Sequence, residues 1–257
     1  MSIYQHFRKE EYPFIDQVLQ WKDEAEERYS VKLTDFLDPR EQDIAQSIIG
    51  KDSEASLSFW GGSSFSERKR ALIYPSYFQP EPKDFEVSIL EVRYPSKFVS
   101  IEHRDVLGSL MNLGIKRGKF GDIIQNGDKL QLIAAEEISD YVMLNVDRIG
   151  KAGVKLERVS EGDLMKSTES YEIREGTVSS LRLDVVLSEI YNLSRSKVNP
   201  LIQSSKVKVN WRLTEEVSFP VEAGDYLSVR GFGRSKLMAI EGKTKKDKWR
   251  IQYGILQ

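Results

Sequence analysis

Three prolines within eight positions, Pro75, Pro80 and Pro82, set the tightest limit on how this chain folds. Proline lacks an amide hydrogen and fixes φ, so neither a helix nor a central strand runs through that segment. The chain divides there, and 257 residues leave room for one large or roughly two to three ordinary domains. No apolar run approaches the roughly 18 residues that cross a bilayer, and Met1-Ser2-Ile3-Tyr4-Gln5-His6 lacks the layout of a signal peptide, so a cytoplasmic protein with no membrane span is expected. With no cysteine, disulfides, thiolate nucleophiles and Cys-ligated metals are excluded. His6 and His103 are the only histidines, which argues against a zinc site or a Ser-His-Asp triad, and no metal or cofactor is expected.

The expected fold class is α+β in three modules. Residues 1–80 read as a helical domain with a short hairpin. Phe14, Val18, Leu19 and Trp21 suit an amphipathic helix from about Glu10 to Tyr29 with Pro13 in its first turn, and Pro39 starts a second helix that stops at Gly50. Leu57–Gly62 and Ala71–Tyr74 read as two strands around a polar loop carrying Ser66 to Arg70. Its Gly-Gly-Ser-Ser stretch lacks the spacing of a nucleotide-binding loop and reads as a turn.

Residues 83–160 give the order strand, helix, two strands, helix, strand of ferredoxin-like and RNA-recognition (RRM-like) folds. Phe85–Val92 alternates, Asp105–Asn112 has helical spacing, Asn126-Gly127 marks a hairpin, a helix spans about Glu136 to Ile149, and Lys155–Val159 closes the sheet. The exposed aromatics of RNA-recognition sheets are missing. Lys116, Arg117 and Lys119, set among glycines, read two ways, as a structural turn or as a phosphate contact.

Charge singles out the third segment. Ten basic residues meet fifteen acidic over 1–82, fourteen meet seventeen over 83–177, and fourteen meet eight over 178–257, so the three carry −5, −3 and +6 of a total of −2. A basic module in a nearly neutral chain attracts a polyanion locally. Leu183, Val186, Leu187 and Ile190 mark a helix over 181–192 with Arg182 off its buried stripe. Ser194 suits an N-cap for a second helix, kinked or short because of Pro200, and Arg195 and Lys197 place positive charge in its first turn, where the dipole opposes it and a bound phosphate would compensate. Lys206-Val207-Lys208-Val209-Asn210 alternates, so one strand face is apolar and the other basic. Gly224-Asp225 turns into Tyr226–Arg230, and Gly231–Lys236 leads to another strand, with Phe232 open to two readings, a base-stacking ring or a hydrophobic plug. The basic tail Lys243–Arg250 adds a further strand or loop.

At these residues the chain resembles the S-four domain, the small αL-type RNA-binding module first recognised in the fourth small-subunit ribosomal protein. Arg182-Leu183-Asp184, Ser194-Arg195, the run Leu201 to Asn210 and Gly224-Asp225 follow its pattern in order over about 179 to 230. Ser205 stands where a turn glycine is usual, and Trp211 where a small residue is common. With Gly231–Lys236, Thr244–Arg250, segment order and length, the whole chain is similar to the YlmH-type proteins of Gram-positive bacteria.

That resemblance implies a non-catalytic factor gripping structured ribosomal and transfer RNA on the large ribosomal subunit. Quality control of stalled nascent chains and a link to cell division are its associated roles. The expected RNA-binding residues are Arg182, Ser194, Arg195, Ser196, Lys197, Lys206, Lys208, Asn210, Arg230, Phe232, Arg234 and Lys236 in a monomer, with Lys116, Arg117 and Lys119 as further contacts. Two alternatives stay open: an RNA-modifying enzyme of pseudouridine synthase or methyltransferase type anchored by the module, and a protein-interaction factor docking through the acidic N-terminal domain. Against the first, Arg182-Leu183-Asp184 is the only Arg-Leu-Asp and falls within the binding helix, and no glycine-rich turn suits S-adenosylmethionine.

Overall fold

The computed structural model describes residues 3–7, 9–50, 53–166 and 170–256. They form two compact units, Met1–Thr168 and Glu169–Gln257.

The first unit opens with helix α1 (Tyr12–Arg28), with Pro13 in the first turn, where a missing N–H breaks no helical bond. Strand β1 (Lys32–Leu37) follows, then α2 (Pro39–Ile49). A capping box starts α2: Glu41 N–H donates to Asp38 Oδ1 and Asp38 N–H to Glu41 Oε2. Strands β2 (Ala55–Trp60) and β3 (Lys69–Pro75) complete an antiparallel sheet of order β1-β3-β2, and the two helices bury Ile15, Val18, Trp21, Ile44 and Ile48 together with Ile73.

Two features depart from the sequence reading. Strand β1 was not expected, because polar Thr34 and Asp35 interrupt its apolar residues. Thr34 is 2% exposed, and its hydroxyl donates to Asp35 O at 2.7 Å and accepts from Ala71 N at 2.9 Å. The supposed polar loop ends early, since Arg70 lies in β3 and is 3% exposed. Its guanidinium donates to the carbonyls of Thr34, Phe85 and Glu86 at 2.7, 3.2 and 3.0 Å, which satisfies a buried charge with backbone dipoles.

The rest of this unit comprises β4 (Val87–Arg93), α3 (His103–Asn112), β5 (Phe120–Asn126), β6 (Lys129–Ala135), α4 (Glu136–Asn145), the short pair β7 (Arg148–Ile149) and β8 (Ala152–Gly153), and β9 (Lys155–Val159). The antiparallel order β5-β6-β4-β9 is the split βαβ layout. Leu90, Val92, Leu130, Leu132 and Leu156 face Val106, Leu110 and Val142 of the helices. Helix α4 is shorter than its apolar spacing suggests: Val146 at its C-cap is extended, and Val146 and Ile149 of β7 reach the same core.

The opposite sheet face is covered. Ile124, Ile133 and Ala135 pack with Phe36 of β1 and with Leu164 and Met165. Glycine at 121 permits the approach, since a Cβ there would lie 2.9 Å from Phe36 Cε1 and 3.0 Å from Ile133. Gln131 of β6 donates to Asp163 O at 3.0 Å and accepts from Met165 N at 2.8 Å, which ties the segment after β9 across the sheet.

The second unit is an antiparallel sheet with two helices. It comprises β10 (Tyr171–Val178), α5 (Leu183–Ile190), α6 (Arg195–Gln203), β11 (Val207–Val209), β12 (Arg212–Leu213), β13 (Tyr226–Val229), β14 (Gly233–Lys243) and β15 (Trp249–Leu256), in sheet order β10-β15-β14-β13-β11-β12. Strand β10 pairs with β15 from Tyr171↔Leu256 to Val178↔Trp249, so the sheet begins before residue 178. Val186, Leu187, Ile190, Val198 and Ile202 of the helices pack on Val207, Leu227, Val229 and Leu237. Pro200 sits inside α6, which is short at nine residues. Ser205, in the place of a turn glycine, adopts φ 55° and still makes the turn into β11, its hydroxyl bonded to Glu215.

Candidate nucleic-acid interface

Two groups of side chains in the second unit present positive charge, each held by a different part of the fold. The first is organised by Asp184, in the first turn of α5, whose side chain is 0% exposed. Arg182 Nε donates to its Oδ1 at 3.0 Å and Arg195 Nε to its Oδ2 at 2.8 Å, with a second bond from Arg195 Nη2. Burial alone would raise the Asp184 pKa; the bonds and charges of Arg182 and Arg195 outweigh it and hold the carboxyl below the usual carboxylate value. The two guanidinium side chains stay 45% and 56% exposed, so one buried carboxylate orients two outward cations. Asp184 therefore supplies part of the compensation that positive charge at the start of α6 requires.

Ser194 stands at the N-cap of α6, where its carbonyl accepts from Lys197 N and Val198 N, but its side chain caps no helix N–H, contrary to the role its position suggests; the hydroxyl bonds Ser196 Oγ at 2.8 Å. Ser194, Arg195, Ser196 and Lys197 are all exposed.

The second group lies on the sheet. Alternation buries Val207, Val209, Leu227, Val229, Ser235 and Leu237 and turns Lys208, Tyr226, Ser228, Arg234 and Lys236 outward. Lys208 pairs with Ser228 and Ser228 with Arg234, while Tyr226 pairs with Lys236. The Arg230 N–H donates to Lys206 O at 2.9 Å, which brings two further exposed cations together. The helices cover the inward face, so the expected residues divide between the helix starts and the outward sheet surface.

Asn210 has a structural task. Its Nδ2 donates to Asp225 Oδ1 at 2.7 Å and its Oδ1 accepts from Tyr226 N at 2.9 Å, so the Asn and Gly-Asp blocks of the motif clamp two turns together. Phe232 is 43% exposed and rests against Tyr191 with ring centroids 5.8 Å apart, while the Tyr191 hydroxyl donates to Gly233 O at 3.2 Å. In the first unit, Arg117 donates to Phe120 O and Gly121 O, and burial, with Arg68 alongside, pulls its pKa down to about 10. Lys119 pairs with Asp35 at 2.5 Å and with Glu137; burial pushes its pKa down, but the two carboxylates together raise it above the ordinary lysine value. That leaves Lys116 exposed while its two neighbours serve internal contacts.

Two aromatic residues that the sequence reading did not place among the binding residues stand beside the sheet cations. Trp211 and Tyr226 have ring centroids 5.0 Å apart, with the Arg234 guanidinium 5.8 Å from the Trp211 ring and Lys236 Nζ 4.4 Å from the Tyr226 ring. Alternation along Tyr226–Arg230 was the available signal for Tyr226; the placement of Trp211 required the register of β11 with β12.

Family models match all three parts of the chain: "YlmH, N-terminal" over residues 10–78, "Putative RNA-binding domain in YlmH" over 80–163 and "S4 domain" over 181–227. The chain is 50% identical over 252 residues to "Ribosome-associated protein quality control protein P2" of Bacillus subtilis (strain 168), covering 98% of both. Among solved structures it is similar to "Cell division protein ylmH from Streptococcus pneumoniae", with a TM-score of 0.55, 34% identity, 64% of this chain and 100% of that one. The three family models in order along the chain and a relative half identical along its whole length agree: the chain belongs to the YlmH family.

Proposed function

We propose that this protein is a non-catalytic, cytoplasmic RNA-binding factor that grips folded ribosomal and transfer RNA on the large ribosomal subunit and acts in quality control of stalled nascent chains. The observation that carries the reading is the arginine fork. Arg182 and Arg195 are oriented by one buried carboxylate beside the exposed start of α6, where amides, dipole and Lys197 favour the same phosphate. A half-identical relative that is named as ribosome-associated supports the setting. Recognition rests on phosphates and shape, so base sequence matters little. Asp184 argues against a modifying enzyme, because a buried carboxylate occupied by two arginines is closed to a base.

The test is sedimentation of purified ribosomal subunits with wild-type protein and with Arg195→Ala/Lys197→Ala across rising salt. Salt-sensitive binding to the large subunit, lost in the variant, is expected. Binding that survives the double change would transfer weight to a protein partner of the acidic first unit, the reading that the solved relative's name as a cell division protein favours. No ribosome binding would reopen the modifying enzyme.

A further inference from the structure

The outward face of the second unit's sheet has a composition that phosphate contact alone does not explain. Asn210 and Trp211 form the two-residue connection between β11 and β12 with φ 48° and 62°. Such mirror-image turns favour Asn followed by Gly, so Asn210 suits its place and Trp211 is a conformational outlier. Outliers of this kind cluster where a side chain has a task. The indole lies against Tyr226, and each ring already has a cation, Arg234 for Trp211 and Lys236 for Tyr226. Lys236 Nζ also donates to the Tyr226 hydroxyl at 3.0 Å, which fixes that ring. From Lys208 through Tyr226 and Ser228 to Arg234 and Lys236, no outward position carries a carboxylate. Paired rings on a positive surface match a ligand with flat bases and negative charge.

We propose that Trp211 and Tyr226 form a stacking platform for unpaired RNA bases, with Lys208, Arg234 and Lys236 holding the adjoining phosphates. The proposal rests on the reading of this chain as an RNA binder and adds single-strand preference to it. A base stacked on an aromatic ring needs no particular sequence, so the platform selects unpaired over paired RNA. In the first unit, by contrast, the corresponding face of the ferredoxin-like sheet is filled by Phe36, Leu164 and Met165.

The experiment measures binding of the full chain to a short uridine-rich RNA and to a blunt RNA duplex by fluorescence anisotropy, alongside thermal melting. The key variant is Trp211→Asn, because asparagine tolerates the left-handed backbone while removing the ring. Its melting temperature should equal or exceed that of the wild type, its affinity for the single strand should fall about tenfold, and its duplex affinity should stay within about twofold. Trp211→Phe should restore most of the single-strand affinity. Unchanged single-strand binding in Trp211→Asn, equal losses on both RNAs, or a lower melting temperature with binding that follows it would each overturn the platform. If the wild type binds the duplex and loses it only in Arg195→Ala/Lys197→Ala while Trp211→Asn is silent, the platform alone falls; if the wild type binds neither RNA, both readings fall.

Discussion

Asp184 illustrates how one residue links stability to the interface. It is fully buried and ionised because Arg182 and Arg195 replace the water it gave up. Hydrogen bonds to charged groups contribute about 1.5 to 3 kcal/mol, and the arginines are half exposed, so Asp184→Asn should cost about 2 kcal/mol near neutral pH, read by urea denaturation. Its pKa is lower folded than unfolded. The stabilisation is therefore present above the unfolded value of about 3.9 and disappears as pH falls through the folded one. The gap between wild type and Asp184→Asn should close in acid below about pH 4, and a gap that stayed constant would contradict the account. The residue types of the motif were legible in the sequence, but the clamp of Asn210 on Asp225 was not, because which side chain meets which depends on two turns that are distant in sequence.

Among the elements, strand β1 and the ferredoxin-like sheet define each other. The periodic elements were legible: α1, α2, α3 and the β5–β6 hairpin fall within a few residues of their expected positions. Strand β1 was not, since its polar residues find partners far along the chain, Thr34 on Ala71 of β3 and Asp35 on Lys119. Phe36 of β1 fills the sheet face next to Ile133 and Gly121. Removing a fully buried ring costs about 3 to 5 kcal/mol, so Phe36→Ala should lower the denaturation midpoint accordingly. It should also speed hydrogen exchange in β5 and β6 more than in β11 and β13. Uniform acceleration across both sheets would instead indicate global unfolding without a local role for Phe36.

For the whole molecule, charge is the property that the sequence states outright. The surplus of basic residues falls in the last 80 positions, 178–257, while the remainder is acidic, so RNA affinity should depend on salt through the second unit. Lys208→Ala should weaken binding evenly across structured RNAs and reduce the slope of log affinity against log salt by about one, as one released counterion requires; an unchanged slope removes Lys208 from the interface. The sequence alone determined the basic C-terminal module and its motif, because net charge and residue spacing are properties of local composition. Tertiary structure decided which cations face outward, which are spent internally as in Arg117 and Lys119, and that Trp211 meets Tyr226. Those outcomes depend on strand register and burial, and a side chain's partners are chosen by residues that fold next to it from far along the chain.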